Sequence, residues 1–427
     1  MKKSLLAVAA IGAFASAAQA QSSVTVYGIL DVGYIGGSSR ASSSATTTNG
    51  GQTKVTTNKF GQSAESTSRL GFKGTEDLGG GTSAFFTAEF QLYPEDQTLS
   101  GNSSSAAAAA SGTTTTNQTG GLLNRQTFVG LKKNGIGQAA FGTQYTPVFN
   151  AGTGTNPNGQ NNIVGDLVYA GSYEVTSTNG GGATVNSQTN RTSNTLTAQT
   201  DNFAGFTGSA MYTLNNANSS ATANAAGQTT AGGNVNASGW GLGADYTFKK
   251  FYAAAAYQSL KQLTSATNNG VTAVAGSVVP AEWKGAQPSA GVAGSAVNVQ
   301  DNQFIAGATY DFGILKAYAQ YISRKATATA SSNYYIKRSA EQIGVRSYIT
   351  PTIEAWASGS LGRYTAFGAA QPTANMNGWQ LGSNYYLSKR TNLYAIYGQQ
   401  LVSNSAASGV TVSGGTSNYA IGVRHTF

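Results

Sequence analysis

Apolar and polar residues alternate one by one in segment after segment of about ten residues, and no other feature limits the fold so tightly. In "SSVTVYGILDVGY" the even positions Val24, Val26, Leu30, Val32 and Tyr34 are apolar, whereas Thr25, Tyr27 and Asp31 carry the polar groups. "SAFFTAEFQLY" sets Phe86, Ala88, Phe90 and Leu92 against Thr87, Glu89 and Gln91. "GWGLGADYTF" does the same with Trp240, Leu242, Ala244, Tyr246 and Phe248, and the closing "SNYAIGVRHTF" with Tyr419, Ile421, Val423, His425 and Phe427. A period of two belongs to strands with one apolar and one polar face.

Connections alternate as well. Tight, turn-forming pieces ("DLGGGT", "NGIG", "NFAG", Lys249-Lys250, Phe312-Gly313, Thr350-Pro351 and "SKR") are interleaved with long stretches rich in Ser, Thr, Asn, Gly and Ala. The long ones run about 37–64, 94–123, 146–190, 215–236, 260–299, 326–337, 364–376 and 403–415. About sixteen strands lie between them, each roughly the length that crosses a bilayer when tilted. An even count with unequal ends predicts an all-β fold: a transmembrane antiparallel β-barrel of about 16 strands with short periplasmic turns and long extracellular loops. Lipid tolerates no open sheet edge, so the last strand should pair with the first near Val24–Tyr34, leaving Phe427 at the periplasmic rim.

Composition agrees. Only 10% of residues are charged and 55 are Gly, yet 10% are aromatic; disordered chains are poor in aromatics. With no cysteine, disulfides, thiolate metal sites and cysteine nucleophiles are excluded. The opening "MKKSLLAVAAIGAFASAAQA" has two lysines, an apolar run and Ala18-Gln19-Ala20, which predicts a cleaved signal peptide over residues 1–20 and one barrel over 21–427. Removing Lys2 and Lys3 leaves 23 basic and 16 acidic groups, a net charge of +7. The single histidine, His425, falls at the rim of the final strand, wrong for a catalytic base, and "GWGLGA" opens no helix. No enzyme activity, catalytic residue, metal, cofactor or nucleic-acid partner is expected.

The pieces "SVTVYGILDVGY", "SRLGFKGTEDLGGG", "AFFTAEFQLY", "NRQTFVGLK", "NFAGFTGSAMY" and "YAIGVRHTF" resemble, in this order, the general diffusion porins of Gram-negative bacteria, the trimeric outer-membrane family in its beta-proteobacterial form. The resemblance implies a homotrimer in the outer membrane, in contact with the lipid bilayer and lipopolysaccharide. It also implies a third loop, about 146–190, folded into the lumen, and passive diffusion of ions and small hydrophilic solutes. The chain departs from the family pattern in the loop "NPNGQNNIVGDLVYAGSYEV" and at Thr143, where many relatives carry arginine.

Such a pore needs fixed charges around water rather than catalytic groups. Alternation puts Arg69, Lys73, Arg125, Lys316, Arg346 and Arg424 on the polar side, with Arg191 opening its strand as a seventh. Arg69 and Arg125 match the family's basic cluster at the constriction. Asp31, Glu89, Asp245 and Asp311 also face inward, and the third loop adds Asp166 and Glu174. A basic wall facing an acidic loop predicts a transverse field and a modest preference for anions. The outer aromatics Trp240, Tyr246, Phe248, Phe312, Trp379, Tyr385, Tyr397 and Phe427 suit interfacial belts. Two other readings stay open: a substrate-specific outer-membrane channel, and a secreted β-solenoid adhesin, which should show a fixed repeat period.

Overall fold

The computed structural model describes residues 23–43, 51–95, 123–169, 188–219, 222–223, 229–230, 233–264, 299–328, 335–367, 374–404 and 412–427. The first strands are β1 (Ser23–Ser43), β2 (Gly51–Gln62), β3 (Arg69–Gly79), β4 (Thr82–Gln91), β5 (Leu123–Lys133) and β6 (Gly137–Tyr145). A helix, α1 (Pro147–Thr155), precedes β7 (Arg191–Thr200), β8 (Phe206–Ser219) and a small separate hairpin, β9 (Thr222–Ala223) with β10 (Thr229–Thr230). Then follow β11 (Gly233–Phe248), β12 (Phe251–Thr264), β13 (Val299–Asp311), β14 (Lys316–Ala328) and β15 (Tyr335–Thr350). The chain ends with β16 (Ile353–Phe367), β17 (Ala374–Tyr386), β18 (Thr391–Asn404) and β19 (Val412–Thr426).

Apart from the small hairpin, each strand pairs antiparallel with its neighbours, and β1 closes on β19 from Ile29 opposite Thr426 to Ser43 opposite Val412. Gly28 and Phe427 exchange backbone hydrogen bonds of 3.0 and 3.1 Å at the seam. The lower half of β1 pairs with β3 and the upper half with β2. These two therefore share one place in the wall, broken at residues 63–68, and the barrel has sixteen strand positions with one extra strand. The stretch 37–64, expected as loop, contains β2 instead. Its "TKVTTNKF" is rich in β-branched residues, which suit a pleated ribbon.

Large apolar side chains cover the outside: Val129, Ile343, Leu361 and Leu381 are all more than half exposed in the isolated chain. Aromatics gather toward both ends of the strands. Phe206 stacks on Tyr246 at 4.2 Å near the short turns, and Trp379 lies 5.3 Å from Tyr397 toward the long connections. These are the belts that fix a barrel's depth in a bilayer.

Much of the inner face is buried by the chain itself. Thr146 caps α1, accepting a 3.2 Å hydrogen bond from the Phe149 amide, and Pro147 fills the first turn, where its missing N–H costs nothing. From there the connection runs along the inner faces of β12 to β18. Gln320 on β14 donates to the Gly152 carbonyl at 2.8 Å, Ser358 on β16 to Asn158 at 2.8 Å, and Gln380 on β17 to the Ile163 carbonyl at 3.0 Å. Two glycines permit the close approach. A Cβ on Gly398 would lie 1.8 Å from the Val164 carbonyl oxygen, and one on Gly344 2.6 Å from Pro157 Cβ.

Beneath this layer Arg324 and Asp301 form a fully buried pair, with Nη2 to Oδ2 at 2.6 Å and Nε to Oδ1 at 3.1 Å. Removing one partner strands the other charge. Asp301→Asn is expected to cost about 3–5 kcal/mol, read as a lower unfolding midpoint in urea. The apolar pair Asp301→Leu with Arg324→Met should recover most of that loss.

Candidate functional site

Three arginines converge opposite the inward connection, each delivered by a local device. Arg69 begins β3, where the chain re-enters the wall after residues 63–68, and its Nε donates to the Thr67 carbonyl at 2.9 Å. Arg125 reaches the interior through a bulge. Val129 and Leu131 on the same strand are exposed outside, so strict alternation would put Arg125 in lipid. The β4–β5 register shifts between Glu89 opposite Gln126 and Phe90 opposite Asn124. Arg125 is the extra residue, and the bulge turns it inward. Its inward position therefore has a different cause from the alternation invoked above. Arg191 opens β7 opposite Tyr145, beside a second irregularity at Gly142–Gln144.

One carboxylate serves this cluster. Glu89 accepts from Arg125 Nε at 2.8 Å and from the Tyr27 hydroxyl at 3.1 Å, and lies 3.8 Å from Arg69 Nη1. Arg125 Nη2 also donates to the Tyr145 hydroxyl at 2.9 Å. The Arg191 guanidinium lies 5.5 Å from the centre of the Tyr145 ring, and among the described residues its buried Nη1 meets no acceptor. Three positive charges thus share one negative charge. Lys73, with Nζ 5.4 Å from the Tyr27 ring centre, extends the basic side. Tyr145, Phe149 and Tyr169 join this wall to the inward segment, with centroids 4.2 and 6.4 Å apart.

The other inward cations are separate from this cluster: Arg346 and Lys316 lie across the barrel on β15 and β14, and Arg424 lies on β19, beyond β1 from Arg69. Arg346 Nε is 3.0 Å from Glu354 Oε1, with its guanidinium 4.9 Å from the Trp356 ring centre. Lys316, opposite Arg346 in register, sits 5.2 Å from the Tyr318 ring centre. Arg424 lies 3.5 Å from Glu65 and donates to Asn392 at 3.1 Å.

Two expected acidic lining groups prove to be internal fasteners. Asp31 is fully buried: its carboxylate accepts from the Glu65 and Ser66 amides at 2.9 and 2.6 Å and from the Tyr394 hydroxyl at 2.6 Å, pinning the break between β2 and β3. Asp166 is 2% exposed and accepts from the Asn156 side chain at 2.7 Å and from the Val168 and Tyr169 amides at 3.0 and 2.8 Å. Burial pushes its carboxyl above the ordinary range, against the pull of these donors. Neither presents a free charge to the opening; Glu174 lies outside the described residues. Conversely, Arg324, Arg338, Glu65 and Glu354 are buried inward charges that alternation alone does not distinguish from other polar-face residues. Arg338 donates to the Leu167 carbonyl and holds the returning limb of the connection.

A closed barrel with an apolar exterior, a polar interior and an inward-folded connection facing a basic wall defines a pore-type protein of the bacterial outer membrane. The chain belongs to the Gram-negative porin family, which matches residues 7–407. It is 36% identical over 146 residues to an outer membrane porin of Bordetella pertussis, covering 34% of each chain. It is 43% identical over 103 residues to outer membrane porin protein 32 of Delftia acidovorans, covering 24% of this chain and 25% of that protein. The chain thus spans about a third and a quarter of these curated relatives. In fold it is similar to the anion-selective porin of Comamonas acidovorans, with a TM-score of 0.59 and 21% identity, covering 95% of this chain and all of the other.

Proposed function

We propose that this chain is a passive diffusion channel for ions and small hydrophilic solutes, with a modest preference for anions. The observation that carries this reading is the cluster of Arg69, Arg125 and Arg191 around the single carboxylate of Glu89 at the inward loop. The likeness in fold to an anion-selective porin supports the same sign. A substrate-specific channel is less well supported, because Tyr27, Tyr318 and Tyr386 stand on β1, β14 and β17 and form no continuous slide. Family membership favours a channel over an enzyme. The reading includes removal of residues 1–20, a single barrel unit, assembly as a homotrimer, and lipopolysaccharide around the outer rim.

The test is planar-bilayer recording of protein purified from membranes, whose intact mass also shows whether the chain begins at Gln21. Ohmic steps with a zero-current potential of anion-preferring sign in a KCl gradient are expected. Electrically silent protein overturns the proposal.

A further inference from the structure

We propose that the outer face of β14–β16, at the end with the long connections, docks the phosphate groups of the glycolipid that forms the outer leaflet. The inference rests on the reading that this end faces outward in the outer membrane.

Three cations point away from the barrel there. Lys325 on β14 lies directly across from Lys337 on β15. On β16, Arg363 lies across from Ser339, the next outward residue below Lys337. Their orientation follows from the neighbours: inward Arg324, Arg338 and Ser360 are buried, whereas outward Tyr321, Ile343 and Leu361 are 41%, 70% and 58% exposed. Among the described residues, neither Lys337 nor Arg363 forms an ion pair.

Like charges directly opposed across a ladder destabilise it, so this arrangement calls for an anion between them. The Lys325 ammonium stacks 4.4 Å from the Tyr335 ring centre, which holds it beside Lys337. Just below lie Phe304 and Tyr321, 6.4 Å apart, part of the aromatic belt that marks the membrane boundary. Ser323, Ser339 and Thr365 surround the cations with hydroxyl donors suited to phosphate or sugar oxygens. Glu341, the one carboxylate on these three outer faces, lies across from Tyr321 one outward step below Ser339, and opposes the attraction. Three cations at a polar–apolar boundary, clamped above an acyl-facing surface, match a phosphorylated lipid head whose chains run down the barrel.

Protein refolded in detergent free of native glycolipid would be titrated with fluorescent diphosphoryl lipid A, with its dephosphorylated form, and with phosphatidylglycerol vesicles. Wild type should favour the diphosphoryl form. Lys325→Gln, Lys337→Gln and Arg363→Gln combined should weaken that binding roughly tenfold, and Glu341→Gln should leave it equal or tighter. Heat-modifiable migration on gels checks folding, and the charge-keeping Lys325→Arg with Lys337→Arg should retain binding. Equal affinity of wild type and triple variant overturns the proposal. So does indifference to the lipid phosphates, or displacement by inorganic phosphate without any preference for the glycolipid. Bilayer conductance should be unchanged in the triple variant. A silent wild type would refute the channel reading while leaving the lipid titration interpretable.

Discussion

Replacing Arg69, Arg125 and Arg191 together by glutamine is expected to reverse the ion preference, so that the zero-current potential in a KCl gradient changes sign. The cluster balances three guanidinium groups against Glu89; the variant leaves Glu89 alone, a change of three charges. A unit charge about 8 Å from an ion's path is worth about 0.5 kcal/mol in water. Three amount to about 1.5 kcal/mol, roughly a tenfold change in the passage of either ion sign. The contrast should be largest at low salt and shrink as the screening length falls toward ~3 Å at 1 M. Glu89→Gln alone should move the potential the other way. If the triple variant keeps the wild-type potential at low salt, these arginines do not set selectivity.

Gly398→Ala should lower the open-channel current and raise its noise. The added methyl would stand 1.8 Å from the Val164 carbonyl oxygen, which is backbone and cannot rotate aside. The inward segment must lift from β18 into the lumen, at a strain of about 1–3 kcal/mol. Gly359→Ala is the matched control, since its Cβ meets nothing within 4 Å. A wild-type current in Gly398→Ala would show that the segment has slack at this point. Its hydrogen bonds to Gln380 and Ser360 would then not be holding it against the wall.

The barrel was legible because alternation reports its two faces directly. Tight turns such as "DLGGGT" and "SKR" marked the strand ends within a few residues, and closure followed from the physics of the bilayer. What alternation cannot tell is whether a polar face meets water or another stretch of backbone. Gln258, Gln303, Gln320, Gln342 and Gln380 all stand on the polar face, yet all are at most 4% exposed: Gln303, Gln320 and Gln380 bond to the inward connection or to Thr189 beyond it, and Gln258 bonds to Gln303. The same ambiguity hid Arg324 and Arg338 and made Asp31 and Asp166 look like pore charges. Bulges are the second gap. Arg125 faces inward through one inserted residue, and the nearby run Val129-Gly130-Leu131 gives no sign of it. For α1 the Thr146-Pro147 start was present, but its low-complexity surroundings masked it.

The seam between β1 and β19 joins residues nearly four hundred positions apart, a separation that slows folding because chain-loop entropy must be lost before the contact forms. Until β19 arrives, β1 offers its bare edge to any passing strand, the situation in which chains aggregate. Closing the wall therefore waits on the last strand of the chain, and the two edges it joins stay unpaired until that strand is in place.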